Sequence, residues 1–491
     1  MSLRKPRHRQ SSVKVVATRP ETAKKKASGG VCSINPVSRG LTWLSLVLAG
    51  LTAVLSPLDA VAGHGVFNPQ TFTLANGMQV VVVSNHRMPV VTHMLWYKAG
   101  AADEAPGKTG SAHLLEHLMF KGTESFPSGA FSKNVARVGG SENAFTSLDY
   151  TGYYQTVAVQ HLEKMMTMEA DRMRNLILDP GEVDTERLVV LEERRQRTDN
   201  DPGAILREHV NAALFLNYPY RRPIVGWEHE IRALNVDDLR TFYRKWYSPG
   251  NAVLVVAGDI TMAELKPVAE RTYGKIPGSP FVDRARPGEP PQSASRRISL
   301  KDARVRQPSW SRTYLAPSRH TSIAGGPESL HSYALEVLAG VIGGGATSQI
   351  YKALVVDRKL AVSAGAGYGS GSLGPTRFSF YASPAPGVSM ETLEQAMEEE
   401  VAKLLDQGVK EEDVGRVKKS MIAEAVYARD SLSGGARVLG SALVSGRTIE
   451  DVEQWPHRID AVTLDQVNAA ARAVLDGRPS ITAVLEGKAS P

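Results

Sequence analysis

The amino-acid sequence predicts an α+β protein made of two tandem homologous domains, because one segment occurs twice and both halves mix strands with helices. The eleven residues that begin at Trp227 match those that begin at Trp455, with five identical residues at a constant offset of 228. In each copy a helical stretch follows, and then a β-rich stretch that ends in glycine, Gly258 and Gly487. A period of this length is typical of domain duplication, whereas solenoid repeats are much shorter.

Strands and helices can be assigned in order along the chain from side-chain patterns. β-branched and aromatic residues predict strands in the first half, at residues 80–83, 90–97 and 151–157. Apolar residues spaced for one face of a helix predict helices in both halves, at residues 111–120, 160–176, 236–246, 390–405 and 411–429.

A stretch rich in proline, serine and glycine, residues 276–296, divides the two copies and has the composition of a linker. The remaining chain of about 430 residues is too long for one hydrophobic core. We therefore predict an N-terminal domain at residues 66–278, a linker at 279–296 and a C-terminal domain at 297–490.

Residues 1–62 have the features of a secretory signal peptide with a long basic n-region. Basic residues lead into an uncharged, largely apolar run at residues 40–55, and Ala60-Val61-Ala62 is a small-residue cleavage signal. The run is short for a stable membrane span, so we expect none after removal of the leader. We therefore expect a periplasmic or secreted protein. The alternative is a mitochondrial transit peptide and a matrix protein, although the apolar run and cleavage signal are not typical of one.

The positive charge of the sequence comes from this leader. The whole chain has 58 basic and 51 acidic residues, whereas residues 1–62 contain ten basic and two acidic ones. The mature chain is therefore almost neutral, and we infer no nucleic-acid partner from its charge. The only cysteine, Cys32, lies in the leader, so the mature chain has neither a disulfide framework nor a cysteine nucleophile.

A candidate metal site begins with the sequence His113-Leu-Leu-Glu-His117 in a predicted helix. Positions i, i+3 and i+4 share one helix face, so both imidazoles and the Glu116 carboxylate point the same way. Two neutral histidines one turn apart can bind one Zn²⁺, and the carboxylate can act on a metal-bound water. This order is the inverzincin signature, the reverse of the commoner His-Glu-x-x-His.

A catalytic zinc usually takes a third protein ligand, and the best candidates lie in the predicted helix at residues 183–197. Glu186 and Glu193 are two helical turns apart and share a face. Glu192 points elsewhere on a regular helix, but spacing alone does not decide between Glu192 and Glu193.

The sequence resembles the pitrilysin and mitochondrial processing peptidase family over roughly residues 66–490. The resemblance rests on HLLEHLMFKGT at residues 113–123, GGSENAFT at 139–146, DYTGYY at 149–154, VVLEERRQR at 189–197, YSPGNA at 247–252 and VVAGD at 255–259. It is most similar to the bacterial processing-peptidase-like subfamily, as a zinc-bearing subunit. The resemblance implies two similar domains, each with a mainly antiparallel sheet covered by helices.

The resemblance also implies roles for individual residues. His113, His117 and Glu193 would bind one Zn²⁺ per chain, Glu116 would be the general base, and Glu186 would be a carboxylate that supports the site. In the family an edge strand pairs with the extended substrate backbone, and Asn143, Ala144 and Phe145 occupy the corresponding position. The alternative for Asn143 is a turn residue after Gly139-Gly140.

The second half departs from part of the family. Single-chain and homodimeric relatives carry an Arg and a Tyr, seven apart, that orient substrate near the zinc. Our alignment places Val355 and Val362 at these positions, and valine has neither charge nor donor. One interpretation is a heterodimer in which a homologous subunit without zinc supplies the pair; a homodimer is less expected. The other interpretation is that Arg358 or Tyr368 takes over the role.

We therefore expect a secreted zinc metalloendopeptidase that hydrolyses short or unfolded peptides. One alternative is a mitochondrial-type processing peptidase β subunit. Others are a non-catalytic structural subunit of the same fold and a zinc-dependent binding module without turnover. Intact His113, Glu116, His117 and Glu193 argue against the structural subunit, because such members tend to have lost zinc ligands.

Overall fold

The computed structural model describes residues 65–324 and 326–488, which belong to one compact unit. The predicted leader, residues 1–62, lies outside the described residues. Within the described ranges, no helix combines the length and the apolar character needed to cross a membrane.

The first half contains a six-stranded sheet in the order β1-β2-β6-β3-β5-β4. Only the β2–β6 pair is parallel, and the other pairs are antiparallel. Its strands are β1 Gln70–Thr73, β2 Gln79–Ser84, β3 Val90–Tyr97, β4 Ser141–Thr146, β5 Thr151–Ala158 and β6 Ala252–Gly258.

The second half contains a five-stranded sheet in the order β7-β11-β8-β10-β9, again with one parallel pair, β7–β11. Its strands are β7 Arg296–Lys301, β8 Ser309–Ala316, β9 Ala361–Tyr368, β10 Thr376–Pro384 and β11 Ser480–Glu486. Apart from β1, the two sheets have the same strand order and the same directions.

Helices connect and cover the strands in both halves. Those of the first half are α1 Ser111–Leu118, α2 Ala130–Arg137, α3 Leu162–Asn175, α4 Pro180–Arg194, α5 Pro202–Leu214, α6 Glu228–Ala233, α7 Val236–Trp246 and α8 Met262–Arg271. Those of the second half are α9 Ser332–Gly343, α10 Gln349–Tyr351, α11 Met390–Gln407, α12 Glu411–Tyr427, α13 Gly434–Val444, α14 Ile449–Glu453, α15 Trp455–Asp460 and α16 Leu464–Leu475. Single π-helical turns follow α4 and α10, at Arg195–Asp199 and Lys352–Asp357.

The internal repeat seen in the sequence corresponds to equivalent elements. β6 and β11 are both seven residues long, and the offset of 228 relates their first residues, Ala252 and Ser480. The same offset relates Val236 at the start of α7 to Leu464 at the start of α16. The predicted fold class, two tandem homologous α+β domains, is confirmed.

The two halves exchange helices. Leu439 of α13, in the second half, packs in one buried cluster with Val81 and Met94 of the first sheet. Leu206 of α5, in the first half, packs with Ile481 of the second sheet. Each sheet is therefore covered by a helix that the other half contributes.

Residues 277–295 have no regular secondary structure, in agreement with their linker composition. They are nevertheless anchored to the first half. The buried Arg286 side chain pairs with Asp103 at 2.8 Å and with Asp149 at 2.5 Å. The Glu289 carboxylate accepts hydrogen bonds from the backbone N–H groups of Leu216 and Tyr218.

Candidate metal centre

Helix α1, which carries the His-x-x-Glu-His sequence, is held between the first sheet and α4. It begins after Gly110, whose φ of +90° is a left-handed conformation that glycine adopts without strain. Leu115 packs into the core against the sheet. Leu114 and Leu118 pack in a separate buried cluster with apolar residues of α4. Packing on two sides therefore fixes the direction in which the polar residues of α1 point.

Helix α4 presents carboxylates and apolar anchors on the same face. Val183, Glu186, Val190 and Glu193 follow one another at spacings of three, four and three, which places all four on one stripe. Val183 and Val190 are buried against α1, and they bring Glu186 and Glu193 to the histidines. The helix starts at Pro180, and the Asp179 side chain accepts hydrogen bonds from the N–H groups of Gly181 and Glu182.

The structure brings His113, His117 and Glu193 together. One ligand atom from each lies within 4.8 Å of the others. Nε2 of His117 lies 3.3 Å from Oε2 of Glu193, and Nε2 of His113 lies 3.7 Å from Oε1 of the same carboxylate. Glu192 is instead exposed and pairs with Arg195 at 2.7 Å. The geometry therefore favours Glu193 over Glu192 as the third ligand.

These residues fit a zinc ion. Two imidazole nitrogens and one carboxylate oxygen are a donor set of catalytic zinc sites, which leave a fourth position open. Donor atoms bound to one tetrahedral ion at 2.0–2.1 Å lie about 3.3 Å apart. The separations from Glu193 to the two histidines, 3.3 and 3.7 Å, are close to that value.

Glu186 supports the site rather than entering it. Its Oε1 lies 2.9 Å from Nδ1 of His117, and its Oε2 lies 2.7 Å from Nζ of Lys121. A hydrogen bond at Nδ1 fixes the ring orientation and leaves Nε2 available as the ligand atom. Glu193 has an outer partner of its own, because Nη1 of Arg197 lies 2.5 Å from its Oε1.

The two histidines are in different electrostatic environments. Burial and the neighbouring His117 lower the pKa of His113 to about 3, so this ring is neutral, as a metal ligand must be. Burial acts in the same direction on His117, but the hydrogen bond to Glu186 and the charge of Glu193 outweigh it and raise the pKa of His117. The hydrogen bonds from His117 and Lys121 lower the pKa of Glu186 to about 2.

Glu116 lies between the two histidines in sequence and is mostly buried. Burial raises the pKa of its carboxyl group above the ordinary value. The Thr146 hydroxyl donates a hydrogen bond of 2.5 Å to its Oε2, which ties the carboxylate to the edge of the first sheet. A carboxylate with a raised pKa, held beside a metal site, is suited to taking and returning a proton.

The predicted substrate segment lies on β4, which is the edge strand of the first sheet. Asn143 is exposed, and its Oδ1 accepts a hydrogen bond from the N–H of Ala144. The Phe145 ring packs against Trp96 at a centroid distance of 5.0 Å. Phe145 can therefore offer its backbone to a ligand, whereas its ring belongs to the core.

Val355 and Val362, which align with the Arg and Tyr of the family, both lie in the second half. Val355 is half-buried in the π-helical turn after α10, and Val362 is 48% exposed on β9. Both alternative residues have local partners. Arg358 pairs with Glu399 at 2.8 Å, and the Tyr368 hydroxyl donates to the carbonyl of Pro317 at 2.7 Å. These contacts argue against Arg358 and Tyr368 as substitutes.

Three residues that were not predicted contact the site, namely Lys121, Thr146 and Arg197. Lys121 and Thr146 lie within the quoted motifs, and Arg197 ends another. Spacing gives a signal only for Arg197, which is four residues after Glu193 and one helical turn away. The contacts of Lys121 and Thr146 depend on how α4 and β4 pack against α1.

The fold and the site together define a metallopeptidase of the inverzincin class. A family model described as Insulinase (Peptidase family M16) matches residues 79–227. A second model, described as Peptidase M16 inactive domain, matches residues 233–421. The chain belongs to peptidase family M16, the pitrilysin family, which confirms the family and enzyme class that the sequence predicts.

Individual relatives agree with this membership. An uncharacterized zinc protease of Streptomyces coelicolor is 28% identical over 91% of this chain and 96% of its own length. The mitochondrial-processing peptidase subunit beta of Blastocladiella emersonii is 33% identical over 42% of this chain and 44% of its own length. A protease from Helicobacter pylori has a crystal structure that covers 85% of this chain and 99% of its own, with a TM-score of 0.78 and 26% identity.

Proposed function

We propose that this chain is a secreted zinc metalloendopeptidase that hydrolyses short or unfolded peptides. The observation that carries the proposal is the convergence of His113, His117 and Glu193, with Glu116 on the same helix. The names of relatives, which include zinc proteases, support zinc as the metal. One Zn²⁺ per chain is the stoichiometry that a single three-residue site predicts.

Zinc bound by His113, His117 and Glu193 would supply a Lewis acid for the peptide carbonyl and lower the pKa of water. Glu116 takes the proton of the attacking water as the general base and then delivers it to the leaving amine nitrogen. The hydrogen bond from Thr146 holds the Glu116 carboxylate in one orientation for both transfers. Glu186 keeps the ring of His117 aligned.

The β4 edge is the surface that we assign to substrate. An extended peptide that pairs with this strand would form backbone hydrogen bonds, which bind peptides of many sequences. Because Thr146 of the same strand contacts Glu116, a peptide along Asn143 and Ala144 runs towards the general base. Backbone pairing also requires an extended substrate, which favours short or unfolded peptides over folded proteins.

A homologous subunit without zinc is the partner that we propose, in a heterodimer. Val355 and Val362 replace the Arg and Tyr that the family resemblance implies, and Arg358 and Tyr368 are engaged within the second half. The missing charge and donor would then come from the Arg/Tyr pair of the partner. A homodimer would combine two copies that both lack the pair.

Secretion to the periplasm is proposed from the composition of residues 1–62 alone. Sequencing the N-terminus of the mature protein from its native cell would test this. A mature chain that starts just after Ala62 supports the signal peptide. A start within the basic region, together with recovery from mitochondria, supports the alternative, a processing peptidase β subunit.

Hydrolysis of a mixed pool of unstructured peptides tests the proposed chemistry, with the chain assayed in the presence of zinc and of a homologue that carries the Arg/Tyr pair. Glu116→Gln should retain about one zinc per chain and lose hydrolysis, because it removes the base without touching a ligand. Retention of activity in Glu116→Gln would contradict the assigned base. Failure of the wild-type chain to bind zinc would contradict the proposed ligands.

The heterodimer needs a separate comparison. The wild-type chain alone should bind zinc but show little hydrolysis, and addition of a homologue that carries the Arg/Tyr pair should restore it. Full activity of the isolated chain, absent in Glu116→Gln, would keep the peptidase proposal and overturn the obligate partner.

A further inference from the structure

A cavity of about 470 Å³ lies between the second half and the segment at Val66 and Phe67, and it shares no residue with the metal centre. One wall is apolar and partly aromatic, and it includes Phe67, Tyr368, Met421, Val438 and Trp455. The lining also carries the charged side chains Arg319, Glu336, Glu424, Arg447 and Asp451, of which Glu424 is exposed and accepts a hydrogen bond from the Ser420 hydroxyl at 3.3 Å. A cavity of this size with one apolar wall and a few polar groups has the character of a small-molecule site.

Val66 and Phe67 form part of the lining of this cavity and are held in a fixed position. The Glu453 carboxylate accepts hydrogen bonds from the N–H groups of Phe67 and Asn68 at 3.0 Å. Arg429 donates to the carbonyls of Gly65 and Val66, at 2.7 and 2.5 Å. These four contacts hold Phe67 in the wall, so its ring belongs to a built site rather than to a loose chain end.

Two arginines of the cavity have a buried Nε without a partner, Arg319 and Arg447, but Arg319 is bonded to Glu336 through its Nη2. Within the described ranges, no hydrogen bond or ion pair joins the Arg447 side chain to another residue. Burial and the neighbouring Arg319 lower the pKa of Arg447 to about 10, but the guanidinium stays charged at neutral pH. A partly buried charge without a bonded partner is costly, so a counter-ion at this position would be stabilising.

The nearby acidic side chains are already engaged elsewhere. The Glu336 carboxylate accepts from Trp455 Nε1 at 2.9 Å, and it also bonds to Arg319 and to the Ser370 hydroxyl. Asp451 pairs with Arg458 at 2.5 Å and accepts from the N–H of Thr448. Glu336 and Asp451 attract Arg447 electrostatically, but their hydrogen bonds go to Arg319 and Arg458, so Arg447 has no directly bonded carboxylate in the described part of the chain.

We propose that this cavity binds a monocarboxylate with an apolar tail, through the guanidinium of Arg447. The carboxylate accepts hydrogen bonds from Arg447, and the tail lies between Phe67, Met421 and Trp455. A single unpaired guanidinium selects one negative charge, and the acidic Glu336 and Asp451 nearby disfavour a dianion. Free apolar carboxylic acids and the C-terminal residues of apolar peptides share this chemistry.

Binding of matched acids and amides to the full chain tests the proposal. The chain carries Glu116→Gln so that peptides are not hydrolysed. The probes are 4-phenylbutyrate and its primary amide, and the peptide Ala-Ala-Phe with a free or an amidated C-terminus. Calorimetry gives the affinity, and intrinsic fluorescence, to which Trp455 of the cavity wall contributes, gives a second signal. The acids should bind at least tenfold more tightly than the amides, because a charge-assisted hydrogen bond is lost.

Variants of Arg447 identify the site. Arg447→Met should weaken binding of the acids at least tenfold and leave the amides unchanged, and Arg447→Lys should retain part of the affinity. The control Arg472→Met removes an exposed arginine of α16 and should change nothing. Since Arg447→Met removes a partly buried charge that has no bonded partner, it should not lower the Tm of the unliganded chain.

Each outcome distinguishes the proposal from its alternatives. Binding of 4-phenylbutyrate alone assigns the site to small carboxylic acids, and binding of Ala-Ala-Phe alone assigns it to peptide C-termini. Equal binding of acids and amides, or unchanged binding in Arg447→Met, would overturn the proposal. So would the absence of binding by both acids to a chain that retains its wild-type Tm.

Discussion

Glu186 is hydrogen-bonded to His117, which we propose as a zinc ligand. It accepts the hydrogen bond from Nδ1 of His117 at 2.9 Å and is itself held by Lys121. Glu186→Gln keeps an acceptor but removes the charge that orients the ring. We expect zinc affinity to fall about 10–100-fold, as is usual when such a supporting carboxylate is lost. Competition with a fluorescent chelator would measure this.

Glu192→Gln is the matched control for that experiment. Glu192 lies on the same helix, but its side chain is exposed and pairs with Arg195. Its removal should leave zinc affinity unchanged. If Glu186→Gln binds zinc as tightly as the wild-type chain, the hydrogen bond to His117 has no role in the site.

Glu104 supports the zinc helix from its N-terminal end. It is only 4% exposed, and its Oε1 accepts a hydrogen bond from the N–H of Ala112 at 2.8 Å. Its Oε2 is buried and has no partner in the described part of the chain. Burial raises the pKa of Glu104 well above its ordinary value, and the hydrogen bonds from the backbone of Ala112 and Gly110 oppose this effect without cancelling it.

Two substitutions of Glu104 should therefore differ in effect. Glu104→Gln keeps a neutral acceptor of similar size and should change the free energy of unfolding by less than about 1 kcal/mol. Glu104→Ala leaves the Ala112 N–H unsatisfied and should cost about 1–3 kcal/mol. Urea denaturation of the metal-free chain compares them. Equal losses in both variants would show that the ionised carboxylate is the form that the fold requires.

Helix α14 makes a pH-dependent contribution to the stability of the fold. Thr448 and Asp451 form a capping box at its start, and Arg458 of α15 pairs with Asp451. Burial opposes ionisation of Asp451, but the hydrogen bonds from Thr448 and Arg458 prevail and lower its pKa to about 2. Because the folded pKa is depressed, the stabilisation is complete above the unfolded value of about 3.8 and disappears as the pH falls towards 2.

Asp451→Asn should reduce the free energy of unfolding by about 1–2 kcal/mol at pH 7, and this difference should shrink below pH 4. Denaturant unfolding from pH 3 to pH 7 measures both quantities. Glu450→Gln, a neighbouring exposed carboxylate of the same helix, should show no such trend. A difference for Asp451→Asn that does not vary with pH would mean that ionisation of Asp451 is not coupled to folding.

Local patterns in the sequence predict most of the helices and strands that carry the site. The stripe of Val183, Glu186, Val190 and Glu193 follows from helical spacing alone, and the structure places it against α1. Asn143 and its neighbours lie on an edge strand as expected. Glu104 carries no comparable signal, since its contact with Ala112 depends on the path of the connecting loop.

For the whole molecule, the duplication is visible in the sequence but the exchange of helices is not. The offset of 228 relates residues at equal positions in the two halves, and β6 and β11 obey it. The amphipathic pattern of α13 indicates only that one face of this helix packs against another element. That its partner is the sheet containing Val81 and Met94, more than 300 residues earlier, depends on tertiary packing.

The exchanged helices predict that neither half folds independently. Leu439 of α13 is fully buried against the first sheet, whereas its neighbour Val438 is 38% exposed. Next to them, Gly440 lies against the ring of Trp96, where a Cβ would clash. Leu439→Asp places a charge in this interface and should cost more than about 3 kcal/mol, whereas Val438→Asp should be nearly neutral.

The zinc site reports on the first half in the same experiment. If the halves share one cooperative unit, Leu439→Asp in the second half should lower the urea midpoint of zinc release together with that of the far-UV signal. Both midpoints should stay at their wild-type values in Val438→Asp. Zinc release at the wild-type midpoint in Leu439→Asp would show that the first half is stable without α13, and the exchanged helices would then be surface contacts rather than parts of a shared core.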